Sequence, residues 1–78
     1  MTAKEKSELP AGAILRLSKP NQYMYAIVLG VMLDIGHVQC DLLPINRARY
    51  VDSLEGSSFF AFPIKGRAAH GWKITRIA

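Results

Sequence analysis

Tyr23 and Tyr25 stand two residues apart, and cations bracket them. Lys19 precedes the pair, and Lys65, Arg67, Lys73 and Arg76 cluster toward the C-terminal end with His70 and Trp72. Aromatic rings beside cations are what single-stranded nucleic acid requires: bases stack on rings at about 1–3 kcal/mol each, and lysine or arginine neutralises phosphate. The charge distribution agrees. Residues 1–45 hold Lys4, Lys6, Arg16 and Lys19 against Glu5, Glu8, Asp34 and Asp41, which cancel. Residues 46–78 hold Arg47, Arg49, Lys65, Arg67, Lys73 and Arg76 against Asp52 and Glu55, so the whole net charge of +4 resides there. Such asymmetry points to an acidic partner, either nucleic acid or protein. The plainer alternative makes both tyrosines core or subunit-interface residues and leaves the loop charges solvated.

Other residues invite chemistry and do not sustain it. His37 and Cys40 have a spacing compatible with metal ligation, which Asp41 and His70 would have to complete. A structural zinc site wants four ligands, usually with more than one thiolate, and Cys40 is the one cysteine. Cys40 is therefore read as a small buried hydrophobe, and no metal is expected. A Cys40–His70 nucleophilic pair lacks an orienting third residue and a glycine motif for an oxyanion. Arg47 and Arg49 straddle Ala48 at the start of an expected helix, where a phosphate would meet free N–H groups and two guanidinium groups. Exposure, or pairing with Asp52 or Glu55, is the simpler outcome. The chain has no GxGxxG, Walker A, HExxH or GxSxG motif. A chain of 78 residues has a thin core with little room for a deep pocket, so neither an enzyme activity nor a cofactor is expected.

These residues depend on the elements that carry them. Residues 1–10 read as a flexible, solvated tail, because charges alternate, apolar residues are few and nothing offers an anchor. Residues 13–18 (AILRLS) form a strand, with Ala13, Leu15 and Leu17 on one face and Ile14, Arg16 and Ser18 on the other. Lys19-Pro20-Asn21-Gln22 is a turn, because proline presets φ and asparagine tolerates the left-handed region. Residues 23–33 (YMYAIVLGVML) are apolar on both faces, rich in tyrosine and β-branched residues, and interrupted by Gly30, which predicts a bulge. After the turn at Asp34-Ile35-Gly36-His37, residues 38–43 alternate, with Val38, Cys40 and Leu42 inward and Gln39 and Asp41 outward. The two strands form a hairpin.

Past Pro44 the spacing becomes helical. Asn46 serves as cap, Ala48, Val51 and Leu54 share a face, and Gly56 ends about two turns. Residues 58–64 (SFFAFPI) return to strand, Lys65 to Gly71 is a loop, and residues 72–77 (WKITRI) close the domain over 11–78. The fold class expected is mostly β (β-rich α+β): a small five-stranded, partly open barrel with one short helix. Its order is OB-like (βββαββ) or SH3/Sm-like, because barrels remove unpaired edges. In the OB-like case, Lys19 and Asn21 on the first loop and Lys65, Arg67 and His70 on the last flank a floor carrying Tyr23 and Tyr25.

Function follows as two expectations. The first is a non-enzymatic module that binds single-stranded nucleic acid through Lys19, Tyr23, Tyr25, Lys65, Arg67, His70, Trp72, Lys73 and Arg76. The second is a protein-binding module: a small inhibitor or adaptor of the kind phages and mobile elements encode, or a homo-oligomeric unit. Phe59, Phe60, Phe62 and Trp72 add apolar surface that one thin core cannot cover on both sides, which favours a dimer. The single cysteine, the absence of an apolar leader and the shortness of the run 23–33 point to a cytoplasmic chain with no membrane span.

Overall fold

The computed structural model describes residues 1–43, 59–66 and 71–78. The helix expected around 46–55, with Arg47 and Arg49, lies outside them, as do Arg67 and His70. The chain is mostly β. Strands β1 (Ile14–Lys19), β2 (Gln22–Met32), β3 (His37–Leu42), β4 (Phe59–Pro63) and β5 (Lys73–Arg76) make one antiparallel sheet of order β4-β3-β2-β1-β5. Placing β1 between β2 and β5, with β4 on β3, matches the SH3/Sm-like order. An OB-like order would set β1 against β4 and β3 against β5.

The β1–β2 turn has the expected chemistry. Lys19 pairs with Gln22 across a two-residue loop in which Asn21 takes φ 69°. That left-handed conformation costs most residues roughly 1–2 kcal/mol, and asparagine less. The turn fixes the register, setting Leu15 opposite Ala26 and Arg16 opposite Tyr25. The β2–β3 hairpin also forms as read, and its register shifts between Val28 and Gly30. The interruption falls where the glycine weakened the strand pattern, and past it Val31 pairs with Val38.

Inward residues from all five strands meet in one core: Leu15 and Leu17, Ala26 and Val28, Val38, Cys40 and Leu42, Phe62, and Ile74. Asp41 points away from this core, as the alternation with Cys40 and Leu42 predicts, and is nonetheless buried. It lies in register with Ile27 and Phe59, whose side chains share its face by strand alternation.

The N-terminal residues depart most from expectation. Instead of an unanchored tail they form helix α1 (Ala3–Ser7), opened by a capping box. The Glu5 amide donates to Thr2 Oγ1 at 3.1 Å, and the Thr2 amide donates to Glu5 Oε1 at 2.9 Å. The bond from the Thr2 backbone, then that with its hydroxyl, holds the Glu5 carboxyl below its ordinary pKa. A helix this short does not persist alone, so docking must hold it. Leu9 joins the core, Met1 packs against it, and the Lys6 side chain is buried. The Lys6 ammonium donates to the carbonyl oxygens of Pro63 at 3.4 Å and Gly66 at 3.3 Å, and sits 5.9 Å from the centre of the Phe62 ring. Lys6 also lines a hollow with Trp72 and Ile74. It thus bonds to the β4 edge and shares a hollow with the β5 edge, and these edge strands are unpaired to each other among the described residues.

Candidate nucleic-acid interface

Register and alternation decide which candidate residues meet. On β1, Arg16 and Ser18 face away from the core, and so do Tyr23 and Tyr25 on β2 and Lys73 and Thr75 on β5. Ser18 pairs with Tyr23 on one side and Lys73 on the other, giving a row Lys73–Ser18–Tyr23. The adjacent row is Thr75–Arg16–Tyr25. The two tyrosine rings meet edge to face, with centroids 5.7 Å apart and planes at 74°. The Arg16 guanidinium carbon lies 5.0 Å from the Tyr23 ring centre. Tyr23 remains 44% exposed, and Tyr25 is half-buried. Edge-to-face pairs contribute about 0.5–1.5 kcal/mol and exposed cation–π contacts about 0.5–1 kcal/mol, enough to orient these side chains.

Lys19 and Trp72 lie at the same end of the sheet, at its rim. The Lys19 ammonium sits 4.7 Å from the centre of the Trp72 ring, and Trp72 packs half-buried against the core. Trp72 is therefore a wall of the core with a cation over its ring, and it offers a base less open surface than Tyr23 does.

Lys65 and Arg76 do not join this group. β5 runs antiparallel to β1, so its first residues lie beside the β1–β2 turn and its last lie away from it. Arg76 pairs with Leu15, donates from Nε to the Ala78 carbonyl at 3.2 Å, and shares a groove with Glu5 and Glu8. β4 ends where Pro63 pairs with His37 at the β2–β3 hairpin, and Lys65 follows there. The expectation that the ends of the last loop share one face rested on the OB-like order and fails with it. Arg16 is the residue that sequence reasoning missed. A two-residue turn at Pro20-Asn21 already sets Arg16 opposite Tyr25, so the signal lay in the turn.

Cys40 and His37 fall on opposite sides of β3 by alternation, since Cys40 is fully buried and His37 exposed. Among the described residues, no group of three or more His, Cys, Asp or Glu could hold a metal ion. Burial pushes the Cys40 thiol from its ordinary 9.0 up to about 12. The folded thiol therefore stays neutral while the unfolded one ionises, so its contribution is intact below pH 9.0 and falls away between there and about 12. In urea unfolding at about pH 8 and about pH 10, wild type should lose roughly 1 kcal/mol more than Cys40→Ala. Parallel losses would refute this.

Among the described residues no helix is long and apolar enough to cross a membrane. Comparison of the chain with protein families, with curated proteins and with solved structures found no match.

Proposed function

We propose that this domain binds single-stranded nucleic acid on the outer face of β1, β2 and β5. Tyr23 and Tyr25 stack on bases, Arg16 and Lys73 take the adjoining phosphates on that face, and Lys19 takes one at the rim beside it. The observation that carries this reading is the edge-to-face tyrosine pair on the solvent side of the sheet, with the Arg16 guanidinium 5.0 Å from Tyr23. Stacking tolerates any base, because every base has a π face, so affinity depends on the backbone more than on sequence. Arg67 and His70 remain part of the proposed contact set. Arg76 leaves it because register sets it opposite Leu15, on the core side of β5, and Lys65 because it lines a separate groove.

Titration of a fluorescent mixed-sequence oligonucleotide at several salt concentrations tests the proposal. Four phosphate contacts, from Arg16, Lys19, Lys73 and Arg67, give a slope of log K against log salt of about −3 for a single strand. Tyr23→Ala should weaken binding about tenfold, within the roughly 1–3 kcal/mol that one stacked base is worth. Arg16→Ala should weaken binding and flatten the slope by about 0.7. Arg76→Ala should change neither. Absence of binding at low salt, or a Tyr23→Ala variant that binds like wild type, would end this reading.

A further inference from the structure

We propose that the groove between the β2–β3 hairpin tip and α1 docks an acidic peptide segment of another protein, one that also carries a large apolar side chain. This surface is separate from the tyrosine face, since Tyr23 is the second residue of β2 and Leu33 follows its last residue. The tip places Leu33 70% exposed and Ile35 56% exposed, in a turn where polar residues are the rule. Both residues line an open groove of about 700 Å³, bordered also by residues of α1 and by Pro63 and Ile64.

The charges around this apolar wall indicate the occupant. The ionisable residues lining the groove are Lys4, His37 and Lys65, and among the described residues no carboxylate lines it. Asp34 lies at the tip without lining the groove. Glu5 of α1 and Glu8 at its C-cap belong to its other side, where they share a groove with Lys73 and Arg76. Among the described residues, a second copy of the chain would present those carboxylates together with cations, a poor match for Lys4 and Lys65. Nucleic acid fits no better, because leucine and isoleucine offer no π face to a base. An acidic segment with an apolar anchor satisfies both features: the anchor seats against Leu33 and Ile35, and its carboxylates reach Lys4 and Lys65.

The test uses the whole chain labelled with ¹⁵N and two short probe peptides. One combines Glu and Asp with Leu and Phe, and the other has Lys in place of every acid. The acidic peptide should shift the amides of Lys4, Leu33, Ile35, His37 and Lys65 in a saturable way. The Leu33→Ser/Ile35→Ser variant should bind it at least about tenfold more weakly, since losing a central apolar anchor costs more than 1 kcal/mol. Lys65→Glu should weaken it several-fold, while Tyr23→Ala leaves it unchanged and so separates this site from the tyrosine face. Both serines replace exposed side chains, and an unchanged circular dichroism spectrum would show that the variant folds. No saturable shift, equal binding of the lysine peptide, or full binding by the double variant would overturn the proposal. So would self-association of the free chain that the double variant abolishes, because a second copy would then fill the groove.

Discussion

Lys6→Glu should release the N-terminal segment from the sheet and lower the stability of the domain by about 3 kcal/mol. Lys6 is 6% exposed, and its ammonium is held by two carbonyl oxygens and faces the Phe62 ring. A carboxylate at that position would face the same oxygens, with repulsion in place of donation and no water to screen it. The side chain would escape only if α1 undocked, withdrawing Leu9 and Met1 from the core. Undocking caps the loss, so removal of residues 1–9 should cost the same as the point substitution. For a domain of this size, about 3 kcal/mol lowers Tm by roughly 15 °C. Lys6→Met separates charge from packing. It keeps the length of the buried stem and gives up the charge-assisted hydrogen bonds, so about half the loss is expected. Thermal unfolding of the three variants decides the matter. A Lys6→Glu protein within about 0.5 kcal/mol of wild type would show that the ammonium contributes no more than an ordinary surface charge.

This anchoring was the least legible part of the fold, for a physical reason. Read as a charge, lysine counts against burial, whereas its four-carbon stem is apolar and its ammonium donates three hydrogen bonds. The capping box itself was legible, because Thr2 and Glu5 stand at the required spacing. What was missing was knowledge of the carbonyl groups that Pro63 and Gly66 supply from nearly 60 residues away. The β1–β2–β3 meander was legible because its signals are local. Pro20-Asn21 sets one turn, Gly36 takes φ 67° in the other, and Gly30 marks the register shift. Local signals do not decide which non-adjacent strands pair. Hence Lys65 was placed beside Lys19 when in fact Trp72 and Lys73 lie there, and Arg76 was counted with the tyrosines although it faces Glu5 and Glu8 across a groove. The pair Tyr23–Tyr25 survives because alternation alone puts both on one face. Whether that face is inner or outer depended on Leu15, Leu17, Ala26 and Val28 filling the other side.

Leu15→Ala should be the most damaging single substitution in the sheet, with a loss of about 3–4 kcal/mol. Leu15 is fully buried on β1, a strand paired on both sides, by β2 and β5. Truncation removes three buried carbons and leaves a cavity whose size depends on how far its neighbours can move. Here they can move little. The residue directly opposite on β2 is Ala26, itself fully buried, so no long side chain on that side can lean into the gap, and Arg76 opposite on β5 is exposed and bonded to the Ala78 carbonyl. The backbone is held by antiparallel pairing on both edges of β1. Limited collapse puts the cost toward the upper part of the 2–5 kcal/mol range for such truncations. A domain of this length has roughly 5 kcal/mol in total, so a detectable fraction of the variant should be unfolded at 37 °C. Leu33→Ala removes the same atoms from an exposed position and should stay within about 0.5 kcal/mol of wild type. Urea unfolding of the two variants side by side gives the test. Equal midpoints would mean that the core does not lie on the Leu15 face of β1, and with that the outward placement of Arg16, Tyr23 and Tyr25 would fail as well, because one alternation fixes both.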